Sequence, residues 1–477
     1  MSRTTNRPVG HARPSTVPPV SGHRGLALAA VLTAEAMNLL DATIVQVAGP
    51  VIHADLGGSE ATIPWFSASY TLAFALGLLT GARLGDIAGR KRVFRIGVVA
   101  FAAASLACAL VPGAAALIAM RAVQGAAAAA IIPQTFGLIR ALYDGDELTR
   151  ALGMIGPVMG LSAVLGPVLG GVLTHADLLG SSWRAVFLVN LPLAVAVLAA
   201  TPHLAEDRAP KRPRLDPVGT VLAMLGTALV VCPLATGDDV TPVAWAVAAT
   251  GSAVLGVFVA HQRRAARRGH VPLIEPALLR GRAFPAALAT SALFFAVMNG
   301  VMITVVLHLE LGLHDGPLTA GLTLLPWSAG LALGSWAAGT HLVPRYGTRV
   351  LHTGIAVLAL GLAAAVLAYR AAEPGSYPAL LPAALAVAGL GTGLFTPPFF
   401  STALSTVGPQ ETGSAAGLLN AVQQLGGTLG LAVVGGVYLG AADSVGTAAQ
   451  RALGVAAVLL AATAVAATAM TARRGGR

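Results

Sequence analysis

Gly81-Ala-Arg-Leu-Gly-Asp-Ile-Ala-Gly-Arg-Lys-Arg92 and Gly339-Thr-His-Leu-Val-Pro-Arg-Tyr-Gly-Thr-Arg349 are two versions of one loop, 258 positions apart, matching Gly81, Leu84 and Gly89 to Gly339, Leu342 and Gly347. Each loop joins two long apolar stretches. A helix needs about 20 mainly apolar residues to cross roughly 30 Å of hydrocarbon, where only internal hydrogen bonds satisfy the backbone. Fourteen segments qualify, from Leu26–Val47 at one end to Ala452–Thr471 at the other. The first loop follows span two and the second follows span ten. Spans one to six and nine to fourteen are therefore two parallel halves, with spans seven and eight inserted between them. The expected fold is an all-α polytopic membrane protein of two pseudo-symmetric six-helix bundles plus two inserted helices. Its divisions are a disordered cytoplasmic arm (1–24), an N-terminal bundle (25–204), a linker with inserted helices 7 and 8 (205–282), a C-terminal bundle (283–472) and a cytoplasmic tail (473–477). Duplicated halves are a transporter architecture, with solute and coupling ions held near midplane between them.

Composition agrees. The chain is 56% apolar and 10% charged, with a mean hydropathy of +0.76, whereas soluble domains carry roughly 25% charge. Its formal charge of +10 does not indicate nucleic acid, because the basic residues recur in short loops instead of on one face. Arg83 to Arg95, Arg208 to Arg214 and Arg263 to Arg282 all follow even-numbered spans, and the N-terminal arm and the tail are basic too. Loops rich in Lys and Arg stay in the cytoplasm, which puts both termini there. Arg184, Arg370 and Arg451 fall on the other side, and Arg121 lies within a span. Cys108 and Cys232 both sit in spans and imply no disulfide framework. The Pro- and Arg-rich arm is not a signal peptide, since no small-residue cleavage pattern follows.

Several motifs together resemble the major facilitator superfamily, and specifically its fourteen-helix drug:proton antiporter group. Asp86, Gly89, Arg90 and Lys91 resemble the signature loop between helices two and three. Leu40-Asp41-Ala-Thr43-Ile44-Val45 is similar to the first-helix motif, and Arg121-Ala-Val-Gln124-Gly125 to the fourth-helix motif. Gly156-Pro157 and Gly166-Pro167-Val-Leu-Gly170-Gly171 resemble the fifth-helix motif of antiporters, and Trp183 to Pro192 is a run typical of the group. Ala82 and Ile87 depart from the loop motif, as do Gln46 and Gly49 from the first-helix motif. The resemblance implies proton-driven efflux of small lipophilic, often cationic, drugs or endogenous metabolites. It also implies a monomer in the bacterial cytoplasmic membrane, powered by the proton gradient without a cofactor.

Each motif also has a physical reading. Gly89 permits a tight turn, and Asp86 with Arg90 and Lys91 offers ionic partners that can break and re-form as the halves rock. The basic residues alone would only set topology. Pro157 and Pro167 remove backbone donors, while Gly156, Gly166, Gly170 and Gly171 allow close helix approach, so span five can act as a hinge helix or simply as a packing surface.

Charges inside the bilayer are expensive unless paired or wetted, so the few present are candidate proton-coupling residues. At 1.5 Å per residue, Asp41 lies roughly 13 Å and Arg121 roughly 10 Å from the outer ends of their spans, depths at which they can meet. Their pair could release a carboxylate to an incoming proton or cationic substrate, or it could lock the N-terminal half permanently. Glu35 is near the middle of span one. It points to a face about 120° from Asp41, so the two are not one dyad. Without a local basic partner, a buried carboxyl there favours its neutral form, which suits proton exchange or a permanently protonated Glu hydrogen-bonded in the helix core. Tyr70, Gln124, Asn420, Gln423 and Gln424 are candidate cavity-lining groups. His308 and Glu310 end span nine on nearly opposite faces, where they should reach outer water.

An ATP-driven pump is excluded within this chain, because a phosphate-cradling loop needs Gly-Lys and the only lysines, Lys91 and Lys211, follow Arg90 and Pro210. There is no metal-ligand cluster and no nucleophile constellation. A proton-coupled importer, or a non-transporting sensor on the same fold, are the alternatives.

Overall fold

The computed structural model describes residues 24–471, apart from 145–146, 149, 152–153, 178–179, 207–215, 236–241, 269–275, 280, 374, 406, 408–411 and 442–444. Almost all of the N-terminal arm, the tail and most of the Arg/Pro-rich stretch before span seven lie outside the described residues.

Helices fall on each of the fourteen expected segments. They are α1 (Arg24–Leu56), α2 (Ile63–Ala88), α3 (Arg90–Leu110), α4 (Ala114–Leu142), α5 (Ile155–His175), α6 (Ser182–His203) and α7 (Pro217–Ala235). There follow α8 (Pro242–Arg267), α9 (Ala283–Leu307), α10 (Pro317–Ala337), α11 (Arg349–Ala371), α12 (Leu381–Ser405), α13 (Thr412–Leu439) and α14 (Val445–Thr471). Among the described residues ten of these are long and apolar enough to cross a membrane, or eleven if Glu60–Leu78 and Thr80–Ala88, bent by 49°, form one span. Large apolar side chains such as Ile96, Val195, Leu360 and Val458 point outward, as a helix surface facing lipid requires.

The helix pairing repeats itself. In the first half α1 packs on α5 and α6, and α2 and α3 pack on α4; in the second, α9 packs on α13 and α14, and α10 and α11 on α12. The two halves meet along two seams, α2 against α13 and α5 against α10, which the same repeat exchanges. The repeated loops also share a backbone feature: Gly89 (φ 100) separates α2 from α3, and Gly347 (φ 58) precedes α11. A side chain is strained at both positions, which explains why the glycine survives in each copy. The inserted α7 and α8 pack on each other, and α7 lies along α2 and α13, with Thr80 and Thr220 hydroxyls 3.3 Å apart.

Candidate functional site

A polar network fills the interior of the N-terminal bundle. Arg121 on α4 donates from Nη1 to Asp41 Oδ2 on α1 at 2.5 Å and to Gln124 Oε1 at 2.7 Å, and from Nε to the Phe66 carbonyl on α2 at 2.8 Å. Asp41 Oδ1 accepts from Gln124 Nε2 at 2.8 Å and from Asn190 Nδ2 on α6 at 2.7 Å. Ser105 on α3 accepts from both of those amides. All five side chains are fully buried. Rings complete the cage: the guanidinium carbon sits 4.3 Å from the Tyr70 ring centroid and 5.7 Å from that of Phe187. A buried ion pair holds only when its remaining hydrogen-bonding groups are met, and here α4 and α6 meet those of the carboxylate within a network drawn from five helices.

Asp41 and Arg121 are thus joined, as their depths suggest. Gln124 and Tyr70, expected at a cavity wall, are buried in the same network. Glu35 occupies a separate place one and a half turns along α1. It is buried, has the Thr135 hydroxyl of α4 as a polar neighbour and forms no ion pair among the described residues. Tyr70 links the two places, because its hydroxyl donates to the Asn38 side chain, three residues from each acid.

The seams between the bundles close at the end remote from the basic loops. Thr71 and Thr428 hydroxyls are 2.7 Å apart across α2 and α13, and Gln46 of α1 donates to Asn299 of α9 at 3.1 Å. Across α5 and α10 the contact is backbone on glycine. A Cβ on Gly171 would meet the Pro317 carbonyl at 2.7 Å and Leu318 Cα at 2.9 Å, and Gly321 faces the Pro167 carbonyl in return. Gly166 and Gly170 use the other face of α5 to admit Thr43, Ile44 and Val47 of α1. Gly156 and Pro157 begin the same helix, and their surroundings lie outside the described residues.

In the loop between α2 and α3, Asp86 pairs with Arg90 at 3.1 Å, and Arg90 lies over Gly137 of α4. Lys91 donates to the carbonyls of Pro202 (3.1 Å) and Leu204 (2.6 Å), fastening α3 to the end of α6. Asn420, Gln423 and Gln424 are half-buried on α13, and Gln423 Oε1 has no partner among the described residues. Arg184, outside the cytoplasmic pattern, is accounted for by Asp55: Arg184 donates to it at 3.0 Å and Trp183 at 2.9 Å.

One expectation is corrected. His308 and Glu310 do not reach water. The chain there forms a π-helical turn, His308–Gly312, against which α10 and α14 both pack, so both side chains are buried, with His308 edge-on to Tyr369 at 4.5 Å. Sequence reasoning also passed over Asn38, Ser105, Asn299 and the Thr71–Thr428 pair. Uncharged polar side chains in apolar runs are common and give no charge signal to separate these from the rest.

Two pseudo-symmetric helix bundles with polar groups buried between and within them define a secondary transporter. The Major Facilitator Superfamily family model matches residues 31–431, and the chain belongs to that family. It is 45% identical over 434 residues to the "Probable actinorhodin transporter" of Streptomyces coelicolor, covering 90% of this chain and 75% of that one. It is 33% identical over 419 residues to a puromycin resistance protein of Streptomyces alboniger (87% and 82% covered), and 32% identical over 410 residues to the multidrug resistance protein Stp of Mycobacterium tuberculosis (84% and 73%). Among solved structures, a bacterial homologue of the human lysosomal transporter Spinster, inward-facing and unoccupied, superposes with a TM-score of 0.67 at 16% identity, covering 94% of this chain and 98% of that one. At that identity the likeness speaks for the fold alone.

Proposed function

We propose that this protein exports antibiotic-like small lipophilic compounds across a bacterial cytoplasmic membrane in exchange for protons. Relatives that share up to 45% of its residues bear names of antibiotic transport and resistance, and these support the direction and the solute class. With the basic loops and both termini in the cytoplasm, the closed ends of the two seams face outward.

Glu35 carries the coupling proton in this reading. The observation behind the assignment is the contrast between the two acids of α1. Asp41 is saturated by a guanidinium and two amides, whereas Glu35 has a hydroxyl neighbour and no cation among the described residues. A carboxyl of that kind can take and give up a proton without first breaking an ion pair. Asp41 and Arg121 hold the N-terminal bundle rigid, Asp86, Gly89, Arg90 and Lys91 control the inner gate, and α5 slides on α10 as the outer seam opens. Asn420, Gln423 and Gln424 contact the solute from α13.

Everted vesicles loaded by an imposed proton gradient, inside acidic, test the whole reading. An exporter accumulates a fluorescent cationic dye or an antibiotic there, and Glu35→Gln abolishes the accumulation at normal expression. Proton-driven accumulation that survives in Glu35→Gln refutes the assignment of Glu35, and accumulation that the gradient does not drive refutes antiport.

A further inference from the structure

A groove of 770 Å³ opens sideways between α3 and α6, away from the seams and from the acids of α1. Lys91, Arg92, Arg95, Ile96 and Val99 form its α3 wall, and Glu206 lines it from beyond the end of α6. On α3, residues 92, 95, 96 and 99 make one helical stripe that passes from basic to apolar along the axis. Ile96 and Val99 are 59% and 53% exposed, so this stripe faces lipid.

Arg95 lies roughly 8 Å inside the start of α3 at 1.5 Å per residue, and it makes no ion pair or hydrogen bond among the described residues. Arg92 is likewise without a protein partner there. Lys91 already holds the Pro202 and Leu204 carbonyls and so fixes the floor of the groove, while keeping its charge. Three cations against the one carboxylate of Glu206 leave the lining with two net positive charges. A guanidinium at headgroup depth on a lipid-facing surface is satisfied by a phosphate, which it can grip with two parallel N–H donors.

The C-terminal bundle supplies an internal control. The repeat places a second lateral groove, of 440 Å³, between α11 and α14. At the offset of 258, Val350 and Thr353 stand where α3 has Arg92 and Arg95, and the walls are apolar apart from His352. Both grooves can take an acyl chain, but only the first can neutralise a phosphate.

We infer that the α3/α6 groove is a binding site for an anionic glycerophospholipid, with the headgroup phosphate on Arg92 and Arg95 and an acyl chain along Ile96 and Val99. The test is native mass spectrometry of the full chain, released from micelles containing phosphatidylglycerol, cardiolipin or phosphatidylethanolamine, with thermal unfolding in the same lipids and in inorganic phosphate. The expected result is retention of phosphatidylglycerol or cardiolipin under activation that strips phosphatidylethanolamine, and a higher unfolding temperature with the anionic lipids only. Arg92→Gln with Arg95→Gln should weaken that retention about thirtyfold, roughly fivefold per side chain. The charge-preserving Lys pair should keep most of it, and Thr353→Gln should change nothing. Equal retention of zwitterionic and anionic lipid by the unaltered protein overturns the inference, and needs no variant to fold. Stabilisation by inorganic phosphate equal to that by lipid also overturns it, as does undiminished retention in the double Gln variant.

Discussion

Removing the Asp41 carboxylate should be among the most damaging single changes this fold can suffer. In Asp41→Ala the Arg121 guanidinium, fully buried, loses its counter-ion, and a broken buried pair costs about 3–5 kcal/mol. The Gln124 and Asn190 amides lose an acceptor too, at about 1–3 kcal/mol for each group left unmet, although both retain Ser105, which places their cost at the low end. The sum is on the order of 5 kcal/mol, a fall of about 10 °C in unfolding temperature if each kcal/mol moves it by about 2 °C. Cys108 is a built-in reporter, because its thiol is buried and donates to Gln124 within the same network. In a Cys232→Ser background, a thiol-reactive fluorogenic dye added during heating in detergent therefore reads the opening of this core. Asp41→Leu combined with Arg121→Leu removes both charges and should be less destabilised than Asp41→Ala alone. Unfolding of Asp41→Ala at the unaltered temperature, or a double variant whose loss equals the sum of its two single losses, refutes the account of a mutually dependent buried pair.

Other consequences are simpler to state. In Gly171→Leu the new side chain meets the Pro317 carbonyl and Leu318, so the outer seam should part. A cysteine placed at the seam residue Thr71 should then label several-fold faster with an impermeant reagent added outside. Lys91→Ala removes two charge-assisted bonds from the end of α6 and should cost about 1–2 kcal/mol, visible as a drop of a few degrees in unfolding temperature. Asp216, just ahead of α7, is pushed up by burial, but the Gly219 N–H, His261 and Gln262 outweigh this and hold its carboxyl below the ordinary range. A lowered folded value means that its contribution to docking α7 on α8 is complete above the ordinary carboxylate value of about 3.9 and disappears as the pH falls through the folded one. Proteolysis of the 205–216 stretch should therefore accelerate in the unaltered chain as the pH falls below about 3.9, whereas Asp216→Asn should already be cleaved faster at neutral pH and show no such acid step.

What the chain disclosed in advance was mainly its periodic features. The 258-residue repeat anticipated the two halves, and once the packing is known it relates the two seams to each other; its two glycines adopt positive φ in both copies. Counting along helices also brought Asp41 and Arg121 to the same depth, since rise per residue is nearly constant. Rotation of each helix about its own axis is less constrained. That is why Gln124 and Tyr70, expected to line a cavity, lie inside the N-terminal bundle. Glu310 was misplaced for a tertiary reason: His308 and Glu310 do point to different sides, but α10 and α14 both pack against that turn, so both side chains stay inside. Asn190 and Ser105 carry no charge and sit on helices six and three, so only the packed bundle brings them to Asp41.

The inserted hairpin makes the boundary between the halves lopsided. With α7 laid along α2 and α13, one flank of the molecule is walled off from the bilayer, whereas the flank formed by α5 and α10 has no such lining among the described residues. Lipophilic compounds dissolved in the membrane would thus meet the boundary between the halves on the α5 and α10 flank, where Gly171 and Gly321 bring the two backbones together. Bulk added along α5 should slow their entry more than that of water-soluble compounds arriving from the cytoplasm.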